Sequence, residues 1–414
     1  MTAYQPAWPR TFASLGFRDY RLVWVGHLIR GVTQWTQFTV VPLIVLELGG
    51  GPADLGIVAA AQWGPVLVFG PAGGVLADRL PKKMSLVALQ VAIVGQGTLF
   101  VWLVYTDSLS IGSALVLSGL FGLVNAIELP VRLAYLAELV PPAWLPNAII
   151  LQGAAFHISR LIGPALAGLL VATVGFTPTL GVSAVLGLAA LLLLLGVSAS
   201  PRAQNHGAGS MVSDLLAGMR YAGTSSHLRT PLLLTVVVSL FVYGVQAILP
   251  IVATEILGLD SRGYGALLAA IGAGAIVGAL LIARMPAESA WRLASWGSVG
   301  AGLSILVLGV QSSPIVSGIS LSTLGASGVM ILASLQTVIQ TYVEESMRGR
   351  VIGVFVAGFS AGVAVGGLAI GHFTELWGVR AAVTSFAIGM AAVALWTALS
   401  ARPSSKARSM SPPG

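Results

Sequence analysis

From Leu22 to Leu399 the sequence is a succession of apolar stretches, each long enough to cross a bilayer and separated from the next by a short polar break. A hydrocarbon core of ~30 Å takes ~20 residues of helix to cross. Inside lipid every backbone polar group must be satisfied by the chain itself, which leaves such a stretch only the α-helix. The pattern leaves nothing for a sizeable soluble domain: 56% of the 414 residues are hydrophobic and 8% are charged, against roughly 25% charged in a soluble domain. Twelve spans are expected, at residues 21–46, 55–76, 84–105, 111–132, 147–174, 179–197, 231–257, 263–283, 291–310, 314–340, 350–374 and 379–399. The expected fold class is all-α and membrane-embedded.

Several chemistries drop out at this stage. The chain has no cysteine, so disulfides, thiolate metal sites and cysteine nucleophiles are excluded, and no metal, cofactor or catalytic group is expected. No Gly-x-x-x-x-Gly-Lys-Ser/Thr phosphate loop occurs, so an ATP-driven pump needs a separate subunit. The formal charge of +7 sits on basic residues scattered singly between spans, which points to membrane lipids rather than nucleic acid as the partner. Residues 1–20 lack an apolar core, so no cleavable signal peptide is expected. The tetrapeptide Gly325-Ala326-Ser327-Gly328 looks like the serine motif of rhomboid intramembrane proteases, with His372 as helper. Helical rise puts those two residues ~15 Å apart in depth, beyond the reach of a base, and packing of small residues explains the tetrapeptide.

Basic residues also orient the chain. With the amino terminus inside, Arg10, Arg18, Arg21, Arg79, Lys82, Lys83, Arg132, Arg202, Arg220, Arg284, Arg348, Arg350 and Arg402 all fall on or near the cytoplasmic side, and of the basic residues only Arg262 and Arg380 fall outside. This asymmetry places both termini in the cytoplasm. Residues 200–228 interrupt the apolar pattern and divide the chain into a six-helix bundle at 1–199, a central cytoplasmic linker, and a second bundle with its tail at 229–414. In the linker Val212, Leu215, Leu216 and Met219 recur at helical spacing, as suits a surface helix or an ordinary linker helix. The halves repeat each other: Val140, Gly163, Gly168 and Gly175 recur 203 residues on as Val343, Gly366, Gly371 and Gly378, and Gly73, Arg79 and Pro81 recur 205 residues on as Gly278, Arg284 and Pro286. Duplicated bundles of this kind place a midplane site between halves that rock.

Between the second and third spans the chain reads Gly74-Val75-Leu76-Ala77-Asp78-Arg79-Leu80-Pro81-Lys82-Lys83. It resembles the loop signature of the major facilitator superfamily, glycine-x-leucine-alanine-aspartate-arginine-x-glycine-arginine-lysine, with Pro81 in place of the second glycine. Gly74 permits close helix approach, and Asp78 can cap the positive end of the eleventh span near Arg350, worth ~0.3–1 kcal/mol. The resemblance implies that Gly74, Asp78, Arg79, Lys82, Lys83 and Arg350 control the conformational equilibrium; the plainer reading is a positive-inside anchoring loop. Phe17-Arg18-Asp19-Tyr20, Trp35-Thr36-Gln37, Pro130-Val131-Arg132, Asn147-Ala148, Arg160 to Gly168 and Met347 to Gly353 further resemble the branch of the enterobactin exporter and its drug-efflux relatives. That branch implies a monomeric multi-pass protein of the bacterial inner membrane, moving a small molecule by alternating access. Gly163-Pro164 resembles the antiporter motif of exporters, and otherwise reads as simple helix packing.

Charges inside the spans are the sharpest clue, since each costs ~2.5–3.5 kcal/mol at mid-helix unless paired or hydrated. Arg30, Glu128 and His157 fall at similar depth on three different spans and are expected to share one cavity; Arg160 lies deeper, and Arg132 follows Glu128 by one turn. Glu128 paired with Arg30 or Arg132 is the expected proton-exchanging group with His157 as modulator, or else a static salt bridge. His27 reads as a polar tip near the cytoplasmic edge. Candidate substrate contacts are Gln34, Gln37, Gln62, Trp63, Asn125, Gln152, Tyr243, Gln246 and Gln336. Embedded arginines favour an anionic or zwitterionic substrate, while Glu128 with aromatic neighbours suits an amphipathic cation. The expected function is proton-coupled efflux of a small amphipathic compound, with uptake or facilitated diffusion of a metabolite as the alternative.

Overall fold

The computed structural model describes residues 10–198 and 211–400, without the side chains of residues 10, 71–79, 211–215, 287 and 400. The helices run α1 (Arg18–Glu47), α2 (Pro52–Arg79), α3 (Lys82–Tyr105), α4 (Ile111–Leu139), α5 (Leu145–Val174), α6 (Phe176–Leu195), α7 (Met211–Thr224), α8 (Ser226–Val242), α9 (Leu249–Ile251), α10 (Ser261–Ile282), α11 (Ala290–Val310), α12 (Pro314–Tyr342), α13 (Arg348–Trp377) and α14 (Val379–Ser400). Eleven segments among the described residues are long and apolar enough to cross a membrane. The twelfth span is α1, whose 30 residues are ample in length but include Arg21, His27, Arg30 and four glutamine or tryptophan positions. Apolar side chains cover the outside, with Val116, Ile315 and Ile388 each more than two-thirds exposed, a surface that water does not tolerate and lipid does.

Helices α1–α6 pack among themselves, as do α8 and α10–α14. The two groups meet along two crossings, α2 with α13 and α5 with α10. Taking the face where α1 begins as proximal, both crossings come together toward the distal face, where glycines bring backbone against backbone. A Cβ on Gly56 would lie 2.6 Å from the Gly367 carbonyl oxygen, and one on Gly371 would lie 2.5 Å from that of Pro52. At the second crossing a Cβ on Gly265 would lie 2.5 Å from the Pro164 carbonyl oxygen, and Gly168 abuts Ser261 and Gly265. The repeated glycines hold equivalent places: Gly163 abuts α1 and Gly366 abuts α8, each within its own group, whereas Gly168 and Gly371 each face the other group. Pro164 therefore stands at the interface, while the adjacent Gly163 faces α1 within its own group.

The span begun by α8 is not a continuous helix. After Val242 it tightens to a 3-10 turn at Gly244–Ile248, passes through α9 and widens to a π turn at Val252–Ile256. Pro250 lacks the N–H that would bond the Gln246 carbonyl. Gly244 lies so close to α13 that a Cβ would come within 2.7 Å of the Gly366 carbonyl carbon. Helix α7 sets Gly218 against the first turn of α13 at Arg350. Ser327 is buried on α12 beside Gly300, and Gly325 and Ala326 abut Ile271 and Gly278 of α10, so the serine tetrapeptide is a packing face; His372 is exposed.

The segment before α1 is pinned to the start of α5. Asn147 receives a bond from the Ser14 amide at 3.1 Å and donates to the Thr11 carbonyl at 2.9 Å; the buried Tyr20 hydroxyl donates to the Ala148 carbonyl at 2.8 Å. Tyr20→Phe is expected to destabilise the protein by about 1 kcal/mol, read as a lower thermal unfolding midpoint in detergent.

Candidate functional site

A cavity of about 400 Å³ lies between the two helix groups, within the ~300–1,000 Å³ range of small-molecule sites. Gln62, Trp63, Tyr243, Gln246 and Gln336 line it, as do His157 and Arg160. Its walls are largely aromatic. Trp35 meets Phe38 edge-on with centroids 5.3 Å apart, Phe38 lies 6.1 Å from Trp63, and Trp63 meets Phe359 of the other group at 5.4 Å. Arg160 of α5 is 6% exposed. Its guanidinium stands 5.1 Å from the Trp35 ring centroid and 5.8 Å from that of Tyr243, and Nη2 donates to Gln246 Oε1 at 3.4 Å. Tyr243 and Gln246 reach Arg160 from the start of the break in the α8 span, one at the end of α8 and the other within the 3-10 turn.

The other embedded charges form a second centre wholly inside the first helix group. Glu128 Oε2 lies 3.2 Å from Arg30 Nη2, and Oε1 lies 3.0 Å from Arg132 Nε. Each arginine has further partners. Arg30 donates to Asn125 Oδ1 at 2.7 Å and Gln34 Oε1 at 3.0 Å, and Arg132 Nη1 lies 2.6 Å from the His27 imidazole nitrogens. A separate cleft of about 40 Å³ reaches this cluster past Leu22 and Leu194, enough for ordered water, which needs roughly 10–15 Å³.

These placements correct the expectation of one shared cavity. Arg30, Glu128 and Arg132 meet, but His157 lines the central cavity with Arg160 and none of its contacts involves the Glu128 cluster. Equal depth did not mean equal azimuth. His27, read as a peripheral polar tip, is buried against Arg132. Four candidate substrate contacts lie away from the cavity wall: Gln34 and Asn125 hold Arg30, Gln37 pairs with Gln96 at 3.2 Å, and Gln152 is buried within the first group. Trp35, Phe38 and Phe359 take their place on the wall. A lone aromatic in an apolar span carries no mark of its own; its partner comes from another helix. Lys82 bonds Glu138 of α4 at 2.7 Å, and Lys83 donates to the Val197 carbonyl at 2.6 Å beyond the end of α6, so both tie down their own helix group. The side chains of Asp78 and Arg79, and the surroundings of Gly74, lie outside the described residues.

Residues 10–413 match the family model described as a transmembrane secretion effector, MFS_3. The chain belongs to the major facilitator superfamily of transporters. Among similar members, an uncharacterized MFS-type transporter YfiS of Bacillus subtilis is 25% identical over 86% of both chains. The enterobactin exporter EntS of Escherichia coli O1:K1 is 26% identical over 90% of this chain and 89% of its own, and the multidrug efflux pump Tap of Mycobacterium bovis BCG is 26% identical over 84% and 85%. In fold, the crystal structure of a bacterial homolog of the human lysosomal transporter Spinster superposes with a TM-score of 0.76 at 15% identity, covering 93% of this chain and 97% of its own. The nucleoside transporter NupG gives 0.74 at 12% identity over 93% and 100%. As a facilitator-superfamily member the protein is a multi-pass membrane transporter of small molecules and not an enzyme.

Proposed function

We propose that this transporter exports a small amphipathic compound from the cytoplasm in exchange for protons, by rocking of two bundles, residues 1–199 and 229–414, about the central cavity. The observation that carries this reading is the aromatic cavity walled by both helix groups and closed distally by glycine-lined crossings. The proximal face, with its excess of Lys and Arg, is cytoplasmic in this reading, which puts both termini there. Relatives named as an exporter and an efflux pump support the direction. Crossings where glycine backbone meets backbone suit surfaces that part and rejoin, since such contact needs no rotamer to be ordered.

Glu128 is the coupling group in this scheme. It is the one buried carboxylate among the described residues set well inside a span. Its two arginines have neutral acceptors at hand, Asn125 and Gln34 for Arg30 and His27 for Arg132, which hold them when Glu128 takes up a proton. The narrow cleft gives water a path to it.

The test is counterflow in proteoliposomes with an imposed proton gradient, screening amphipathic drugs and catecholate siderophores. Uphill accumulation that vanishes when an ionophore collapses the gradient is expected. Accumulation only to equilibrium, with or without the gradient, would remove proton coupling from the reading.

A further inference from the structure

Among the described residues, Arg160 is the one permanently charged group on the cavity wall, and no carboxylate lies within ion-pair distance of it. A cation buried in this way is costly in a membrane protein and is found where it faces a partner or a ligand. Here the partners are two aromatic faces and one long bond to a neutral amide. Ring stacking engages the flat face of a guanidinium and leaves its N–H edge available, the edge that matches a carboxylate with two parallel hydrogen bonds.

Two neighbours on the wall carry buried polar atoms that are unpartnered, and one of them demands an acceptor. Trp35 Nε1, a donor only, and His157 Nδ1, a donor or an acceptor according to the tautomer, are both buried without a hydrogen-bond partner on residues that line the cavity. Glu128, the group that would have suited a cation, belongs to the other centre and is held by two arginines. The rest of the wall is apolar and aromatic, with Phe38, Trp63 and Phe359 presenting ring surfaces to whatever lies below Arg160.

We propose that the cavity takes an amphipathic aromatic anion, its acidic group seated on Arg160 beside Trp35 and His157, where Tyr243 and Gln246 of the other bundle also reach it. This rests on the cavity being the substrate site. Direction and proton coupling do not enter, so the test is equilibrium binding rather than transport. Because Gln246 and Arg160 sit on opposite bundles, an anion that takes over the Arg160 edge loosens a bond between them.

The experiment measures binding of naphthoate, naphthylmethanol, naphthylmethylammonium and decanoate to the full-length protein in detergent at neutral pH. Naphthoate is expected to bind tightest and the ammonium weakest. Arg160→Gln should lose about tenfold to a hundredfold of naphthoate affinity while leaving naphthylmethanol within about threefold of the parent. The neutral ligand thus reports an intact cavity, and Arg160→Lys should recover part of the loss. Trp35→Phe, which removes the indole N–H and keeps the ring, should weaken naphthoate selectively by several-fold. Parent protein that prefers the ammonium or the alcohol, that binds none of the four, or whose naphthoate affinity survives Arg160→Gln overturns the assignment. Decanoate matching naphthoate overturns its aromatic part and makes the ligand a lipid-like anion. A failure of gradient-driven accumulation with these selectivities intact would count against export and leave the anion site standing.

Discussion

A Glu128→Gln variant is expected to unfold about 3–5 kcal/mol more easily than the parent and to equilibrate substrate without concentrating it. The stability loss follows from the geometry. Arg30 and Arg132 both point charge at one carboxylate, at 3.2 and 3.0 Å, in a site where all three groups are less than 10% exposed. Removing the carboxylate leaves two guanidiniums facing each other with only neutral acceptors. Transport alone cannot separate a coupling acid from a structural clamp, because a weakened bundle also transports poorly. The pair Glu128→Gln with Arg132→Gln separates them: it restores the cluster's net charge of one, and most of the lost stability should return. Uphill accumulation should stay absent. Were accumulation to return together with stability, Glu128 would be a clamp and the coupling proton would lie elsewhere.

Gly371→Leu should abolish transport by a different route, with both bundles intact. A Cβ there meets the Pro52 carbonyl at 2.5 Å, so a side chain cannot enter without parting α2 from α13. Overpacking costs about 1–3 kcal/mol, and because that cost falls only on the distally closed state it moves the closed-to-open ratio by roughly fivefold to a hundred-and-fiftyfold. The chain's lack of cysteine makes the readout simple. Ala247→Cys, on the cavity wall, supplies the sole thiol for an impermeant methanethiosulfonate added from the distal side. Labelling should rise at least roughly fivefold in Gly371→Leu. Unchanged labelling would mean that this crossing does not gate the distal face.

The spans were legible because hydropathy reports depth: predicted 111–132 and 314–340 fall inside observed Ile111–Leu139 and Pro314–Tyr342. The meeting of Arg30 with Glu128 was legible for the same reason, since a carboxylate and a guanidinium at one depth gain by finding each other. Hydropathy says nothing about which way a helix is turned. His157 shares the depth of Glu128 and belongs to the other cavity, and Gln37 turns toward Gln96. The break in the α8 span was hidden because an uninterrupted apolar run looks the same wound as a 3-10, α or π helix. Gly244 and Pro250 were its only local marks. Phe359 gave no mark, since it acts only through Trp63 and Tyr243 on other spans.

The residues whose backbones touch across the distal crossings, among them Pro52, Gly56, Gly367 and Gly371 on one side and Pro164, Gly168, Ser261 and Gly265 on the other, carry no charge. These facing residues themselves therefore contribute no charge to movement through the transmembrane electric field, which acts on charges at about 2.3 kcal/mol each per 100 mV. In the proposed cycle the charges embedded within the spans are Arg160 and the Arg30–Glu128–Arg132 cluster, so the dependence of turnover on membrane potential is expected to change when these residues are substituted and to survive neutral substitutions at the crossings.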